Sequence, residues 1–205
     1  YALAYKSLPR EASYDRIIIL GTSHHGVGHP LVPTRKNFVT PLGIVKTSRE
    51  GVDAVLKITG EECLEDELAH RSEHSIELQV VILSWLLPNV EIVPLLCGNP
   101  RNWAQDGGDP AGAVETEKAV AAIRAACDGA KKPLIIAAAD LAHIGPQFDG
   151  PELTQELLTQ TESADRSALA FASNRDATGW YRAVTEGGDP RNTCGLAPIY
   201  YLLRA

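Results

Sequence analysis

The chain has 205 residues, 44% of them apolar and 22% charged, and a net charge of −7. That length suffices for one domain with a sizeable core. The acidic balance argues against nucleic acid or an anionic membrane as partner, and no apolar run approaches the roughly 20 residues that span a bilayer.

In chain order, "YALAYKSL" (1–8) reads as the end of a helix begun upstream, and "RIIIL" (16–20), rich in β-branched Ile, as a buried strand. A loop with three of the six histidines, "GTSHHGVGH" (21–29), follows directly. From Ser75 to Leu87 the pattern is helical, with Ile76, Val80, Leu83 and Leu87 at three- and four-residue steps and Pro88 closing it. "VEIVPLL" (90–96) is a strand, and "GNPRNWAQDGGDPAG" (98–112) is a loop expected to be a mobile excursion. An Ala-rich helix over 113–127 leads to strand "PLIIAAA" (133–139). Helices follow over about 152–172 and 176–185, and from about 196 to the end. Short apolar runs alternating with helical stretches predict a three-layer α/β/α fold, one domain over 1–205.

Cys63, Cys97, Cys127 and Cys194 show no close pairing, so reduced thiols and a cytoplasmic protein are expected. With no Met, a start at Tyr1 and no signal peptide, the chain is expected to lack an N-terminal piece.

The chemistry-bearing residues gather where strands end. "RIIIL" runs into His24 and His25, and "PLIIAAA" runs into "DLAH" with Asp140 and His143. In open α/β sheets, sites lie at the carboxyl ends of strands. Adjacent histidines alternate in direction, so one of His24 and His25 faces a given pocket and the other serves the loop. Glycines 21, 26 and 28 permit tight turns and close approach by a ligand. In "AHRSEHSIELQ" (69–79), His70, Glu73, His74 and Glu77 would share one face if the segment is helical. The same residues fit an H-x-x-E-H zinc-hydrolase pattern or, equally, a polar first turn with Glu near the positive helix end. Asp140 could hold His143 in one tautomer for acid/base work, or cap the following turn and leave His143 on the surface. Cys194 precedes an apolar helix whose dipole would favour its thiolate, making it a metal ligand or nucleophile. Cys63, Cys97 and Cys127 read as buried hydrophobes.

In this order "IIILGTSHHG" (17–26) with "TPLG" (40–43), "AHRSEHSIELQ" (69–79), "AAADLAHIGPQF" (137–148) and "NTCGLAPI" (192–199) resemble the Memo family, also called AmmeMemoRadiSam system protein B. The resemblance implies a LigB-like fold related to class III extradiol dioxygenases, whose Fe(II) is held by two His and a carboxylate. In Memo-like proteins the ligands are two His and a Cys, which implies His24 and Cys194 here. It also implies that His143 is the acid/base group, with Asp140 and His74 in the same cleft. The family's other metal His lies in a "PHAGY"-like strand before the first helix, and that strand and the family's last strands are absent from these 205 residues. The implied cofactor is a divalent metal, Fe(II) first, with Cu or Zn also compatible with a thiolate. The implied function is metal-dependent redox or dioxygenase-like chemistry on a small molecule. The alternative is a non-catalytic module that binds a peptide or a partner of the AmmeMemoRadiSam system, and an H-x-x-E-H zinc hydrolase stands third.

Overall fold

The computed structural model describes residues 2–9, 13–104 and 108–205. Its centre is a six-stranded mixed sheet. Strand β1 (Arg16–Thr22) lies parallel between β5 (Glu91–Cys97) and β6 (Pro133–Ala138), in the register Ile18↔Val93 and Ile18↔Ile135. The other edge of β5 is shared. Its first residues pair in parallel with β4 (Gly43–Thr47), and its last pair antiparallel with β2 (Leu31–Pro33). Strand β3 (Phe38–Thr40) forms a hairpin with β4 through the two-residue turn Pro41–Leu42. The Thr40 hydroxyl closes that turn, donating to the Gly43 carbonyl and accepting from the Leu42 N–H.

Every residue of β1 is buried, because helices cover both faces of the sheet. On one face Ile17, Ile19 and Ile92 pack against Ile76, Val80 and Leu83 of α3 (Ser75–Leu86), the α-helix that follows α1 (Ala2–Lys6) and α2 (Arg49–Thr59). On the other face Ile18, Leu20, Val93 and Leu95 meet α2 and α4 (Val114–Cys127). After α5 (Gln155–Ser173), helices α6 (Ala177–Thr185) and α7 (Leu196–Arg204) fill the same layer with Trp180, Tyr200 and Tyr201. Alternate β1 side chains therefore feed two cores, as a strand period of two requires.

The strands and helices expected over 16–20, 75–87, 90–96, 113–127, 133–139, 152–172, 176–185 and 196 onward are all present, with no end shifted by more than three residues. Strands β2 to β4 and helix α2 carry no expectation from the sequence; of these, β2 and β3 have three residues each, too short to show a period. The expected excursion over 98–112 is partly ordered, with a 3₁₀ turn at Pro100–Trp103 capped by the Asn99 side chain. Residues 105–107 of that loop lie outside the described residues. Among the described residues, no helix is long and apolar enough to cross a membrane, and the four cysteines are free.

A candidate metal-binding cleft

Four segments converge at the carboxyl edge of β1 and β6. The β1–β2 loop brings His24, two residues past the end of β1, and the 138–145 loop brings Asp140 and His143. Glu73 and His74 immediately precede α3, and Cys194 precedes α7. Helix α3 reaches the strand end because β1 has a glycine there. A Cβ on Gly21 would lie 2.5 Å from Ile76 Cγ1 and 2.7 Å from Ser75 Oγ. With that space open, the Ser75 hydroxyl donates to the Thr22 carbonyl at 2.9 Å. Gly21 thus admits a helix rather than a ligand. Gly195 serves the Cys194 loop in the same way, its missing side chain leaving room for the Asp140 carbonyl and Ala139.

Glu73 organises the histidine side of the cleft. It is only 2% exposed, and both carboxylate oxygens are engaged. Oε1 accepts the backbone N–H of His24 at 2.5 Å and that of His25 at 3.4 Å, while Oε2 lies 2.7 Å from His24 Nδ1. A buried carboxylate is tolerated when donors surround it. A carboxylate only accepts, so Nδ1 of His24 carries the proton and Nε2 keeps its lone pair. The ring of His74 stacks on that of His24 with centroids 4.7 Å apart and planes 14° from parallel. His25 is exposed, and its backbone completes the Glu73 cradle.

On the other side, Gly195 N–H and the Cys194 thiol both donate to the Asp140 carbonyl, at 2.9 and 3.6 Å. The Thr22 hydroxyl donates to the Cys194 carbonyl at 3.0 Å, tying the Cys loop to the end of β1. His143 N–H donates to the Arg191 carbonyl at 2.7 Å. An ion pair between Arg191 and Asp165 of α5, at 3.3 Å, braces both loops, since Asp165 also accepts from the Ala142 N–H. The His143 ring is held by the Leu141 carbonyl, 3.0 Å from Nδ1, and by an edge contact with Phe148. This corrects one expectation: a backbone carbonyl, and not the Asp140 carboxylate, fixes the His143 tautomer.

Two further expectations are revised. Residues 61–71 form a 3₁₀ helix that ends before α3 starts at Ser75, so His70, Glu73, His74 and Glu77 do not share one helical face. His70 is buried instead, with Nε2 2.8 Å from the Val32 carbonyl, and burial lowers its pKa to about 4. That removes the geometry an H-x-x-E-H hydrolase needs. The Cys194 thiol, expected to be shifted toward thiolate, has a raised pKa, chiefly through burial.

His24, His74, Asp140 and Cys194 line one small cleft together with Thr22, Ser75, Ala138 and Ala139. Around it the ligand-type atoms form two clusters, His24–Glu73–His74 and Asp140–His143–Cys194, each with all atoms within 4.8 Å of one another and with His24 and Cys194 in different clusters. The space enclosed is about 10 Å³, room for about one water or one ion. From sequence Glu73 has a place only in the H-x-x-E-H pattern, not beside His24. Its signal was its place directly before the helix and beside His74, but its partner, His24, lies 49 positions away.

Fold and cleft together define an α/β protein with imidazole and thiol groups gathered at the carboxyl edge of its sheet. The Memo-like protein family matches residues 1–205, the whole chain, and the chain belongs to that family. Among its relatives are MEMO1 family proteins of Methanococcoides burtonii, 30% identical over all of this chain and 67% of the relative, and of Archaeoglobus fulgidus, 33% identical over 74% of this chain and 53% of the relative. A MEMO1 family protein of Aquifex aeolicus is 29% identical over 74% of this chain and 37% of its own length. The matches thus span between about one third and two thirds of these relatives.

Proposed function

We propose that the cleft binds one transition-metal ion through Nε2 of His24 and Sγ of Cys194 and uses it for redox or dioxygenase-like chemistry on a small molecule. The observation that carries this reading is the buried Glu73 carboxylate on His24 Nδ1. It leaves Nε2 as the ring's acceptor in the cleft that Cys194 also lines, the carboxylate–imidazole arrangement typical of metal-bound histidine. The donor set fits a metal: imidazole suits Fe(II), Zn and Cu, and thiolate adds affinity for Zn and Cu(I). His74, stacked on His24, and Asp140 stand where they could complete the set. The resemblance to class III extradiol dioxygenases makes Fe(II) the first choice, and bound Fe(II) would supply one-electron and oxygen chemistry.

The chain's own groups divide the remaining work. His143 has Nδ1 turned to the Leu141 carbonyl, so its Nε2 is the atom that takes a proton from a bound hydroxyl and returns it. The exposed Asp140 carboxylate accepts a hydrogen bond from the same ligand. The four free cysteines suit a reducing compartment, the cytoplasm. A peptide or partner protein in this cleft is the competing reading.

Titrating Fe(II), Cu(I) and Zn(II) into the chain and into His24→Ala, Cys194→Ala and His70→Ala forms tests the proposal. Binding should be lost or weakened strongly in the first two variants and retained in the third. Equal binding by all four proteins would place the ion elsewhere, and no binding by the unmodified chain would favour the partner reading. With metal bound, oxygen uptake against a catechol panel then tests the dioxygenase-like reaction.

A further inference from the structure

The first turn of α2 borders an open recess beside the start of β5. The recess measures about 390 Å³, within the roughly 300–1,000 Å³ of small-molecule sites. Asn37, Lys46, Ser48, Arg49, Glu50 and Glu91 are among its walls. Ser48 is the N-cap of this 11-residue helix, yet its side chain caps nothing. The residue is 1% exposed, and its hydroxyl is covered and has no hydrogen-bond partner. The backbone is equally incomplete there. The Ser48 N–H donates to the Ile92 carbonyl at 2.8 Å, and the Val52 N–H to the Ser48 carbonyl at 3.0 Å. Between them, the N–H groups of Arg49, Glu50 and Gly51 are the orphan donors of a helix start. Among the described residues none of the three has an acceptor, although Gly51 is buried. Buried polar groups without partners are rare in a native fold, and here a hydroxyl and a backbone donor meet at one place. Lys46 and Arg49 stand exposed beside them, with no ion-pair partner among the described residues. Asn37 accepts the Thr47 N–H on Oδ1 at 3.0 Å, which leaves its amide group as a further donor. Of the two carboxylates at the rim, Glu50 is paired with Arg16 at 3.1 Å and Glu91 lies opposite Lys46 in register.

We infer that this recess is a binding site for a phosphate group, held by the first-turn N–H groups of α2, the Ser48 hydroxyl and the side chains of Lys46 and Arg49. A helix start favours an anion twice over, through its free N–H groups and through the positive end of its dipole. The several oxygens of a phosphate can accept from the backbone, the hydroxyl and the two cations at once, in charge-assisted hydrogen bonds. Rotation of the Ser48 side chain about a single bond carries its hydroxyl to the position an N-cap oxygen takes beside those N–H groups. With Arg16 included, three cations face two carboxylates, so the local balance favours an anion. The site is remote from the metal cleft. Lys46 and Thr47 pair with the first two residues of β5, whereas the cleft lies at the carboxyl ends of the neighbouring strands, about 20 Å away by the rise of a seven-residue strand. The phosphate site therefore stands or falls independently of the metal reading.

Isothermal titration calorimetry of the whole chain with inorganic phosphate and with glycerol phosphate, at constant ionic strength, tests the inference. Both should bind; tighter binding of the ester assigns the site to a phosphate monoester, and otherwise it belongs to the free anion. Ser48→Ala should weaken binding about tenfold or more. It should leave the melting temperature of the phosphate-free protein unchanged, because the hydroxyl it removes bonds to nothing there. Lys46→Ala and Arg49→Ala should each weaken binding several-fold, and Lys57→Ala, exposed in the last turn of the same helix, should not. No binding at millimolar phosphate overturns the inference. So does binding that none of the substitutions at 46, 48 and 49 weakens, which would set the anion elsewhere. A Ser48→Ala protein that melts lower yet binds phosphate as before would make the hydroxyl an ordinary helix cap and overturn it as well.

Discussion

Substituting Glu73→Gln tests how the histidine side of the cleft is built. The carboxylate accepts two backbone N–H groups on Oε1 and the His24 ring on Oε2. Glutamine keeps the shape but replaces one oxygen with an amide group that only donates. If that group faces the ring, His24 answers by moving its proton to Nε2, which consumes the lone pair a metal needs. If it faces the backbone, two buried N–H groups lose their acceptor, at about 1–3 kcal/mol. Loss of a group that orients a metal-bound histidine weakens metal binding by about 10- to 100-fold, or roughly 1.4–2.7 kcal/mol. Competitive Zn(II) titration gives the affinity and thermal melting gives the stability. A folded Glu73→Gln protein that binds Zn(II) as tightly as the unmodified chain would refute the claim that Glu73 sets the His24 tautomer.

Other consequences follow from the same structure. His70 has a pKa lowered by burial from 6.5 to about 4, so it is neutral in the fold while the unfolded chain takes up a proton near pH 6.5. Its contribution, roughly 3 kcal/mol, is complete above about pH 6.5 and is lost as the pH falls toward 4; urea midpoints against pH should show this slope, and His70→Asn should flatten it. Asp165→Asn breaks the brace to Arg191, so alkylation of Cys194 by iodoacetamide, followed by mass spectrometry, should accelerate several-fold in the metal-free protein. An unchanged rate would show that the brace does not hold the Cys loop. Gly21→Ala would drive a methyl group into Ile76 and Ser75. It should cost about 1–3 kcal/mol in urea unfolding, and a neutral result would show that α3 shifts freely.

The outline of the site was legible because two buried strands run directly into chemistry-bearing loops, at His24 and at Asp140. Parallel pairing of Gly21 with Ala138 then makes those loops neighbours, as strand order in an open sheet dictates. The role of Glu73 was not legible, because a periodicity argument assumes one continuous helix over 70–77. The chain instead changes from a 3₁₀ helix to α3 between Arg71 and Ser75, which turns His70 toward β2 and Glu73 toward β1. The state of Cys194 was misjudged for a related reason. Its position before a helix is a sequence property, whereas its burial against the Asp140 loop is set by a contact across 54 positions. Strands β2 to β4 are short and are held by pairing to β5 and to each other, and their own composition gives no comparable signal.

X-ray absorption at the edge of the bound metal addresses the site itself most directly. The account predicts nitrogen scatterers together with one sulfur near 2.3 Å for Zn, the sulfur disappearing in Cys194→Ala and the imidazole signal diminishing in His24→Ala. A shell of oxygen and nitrogen alone in the unmodified chain, unchanged by either substitution, would contradict it.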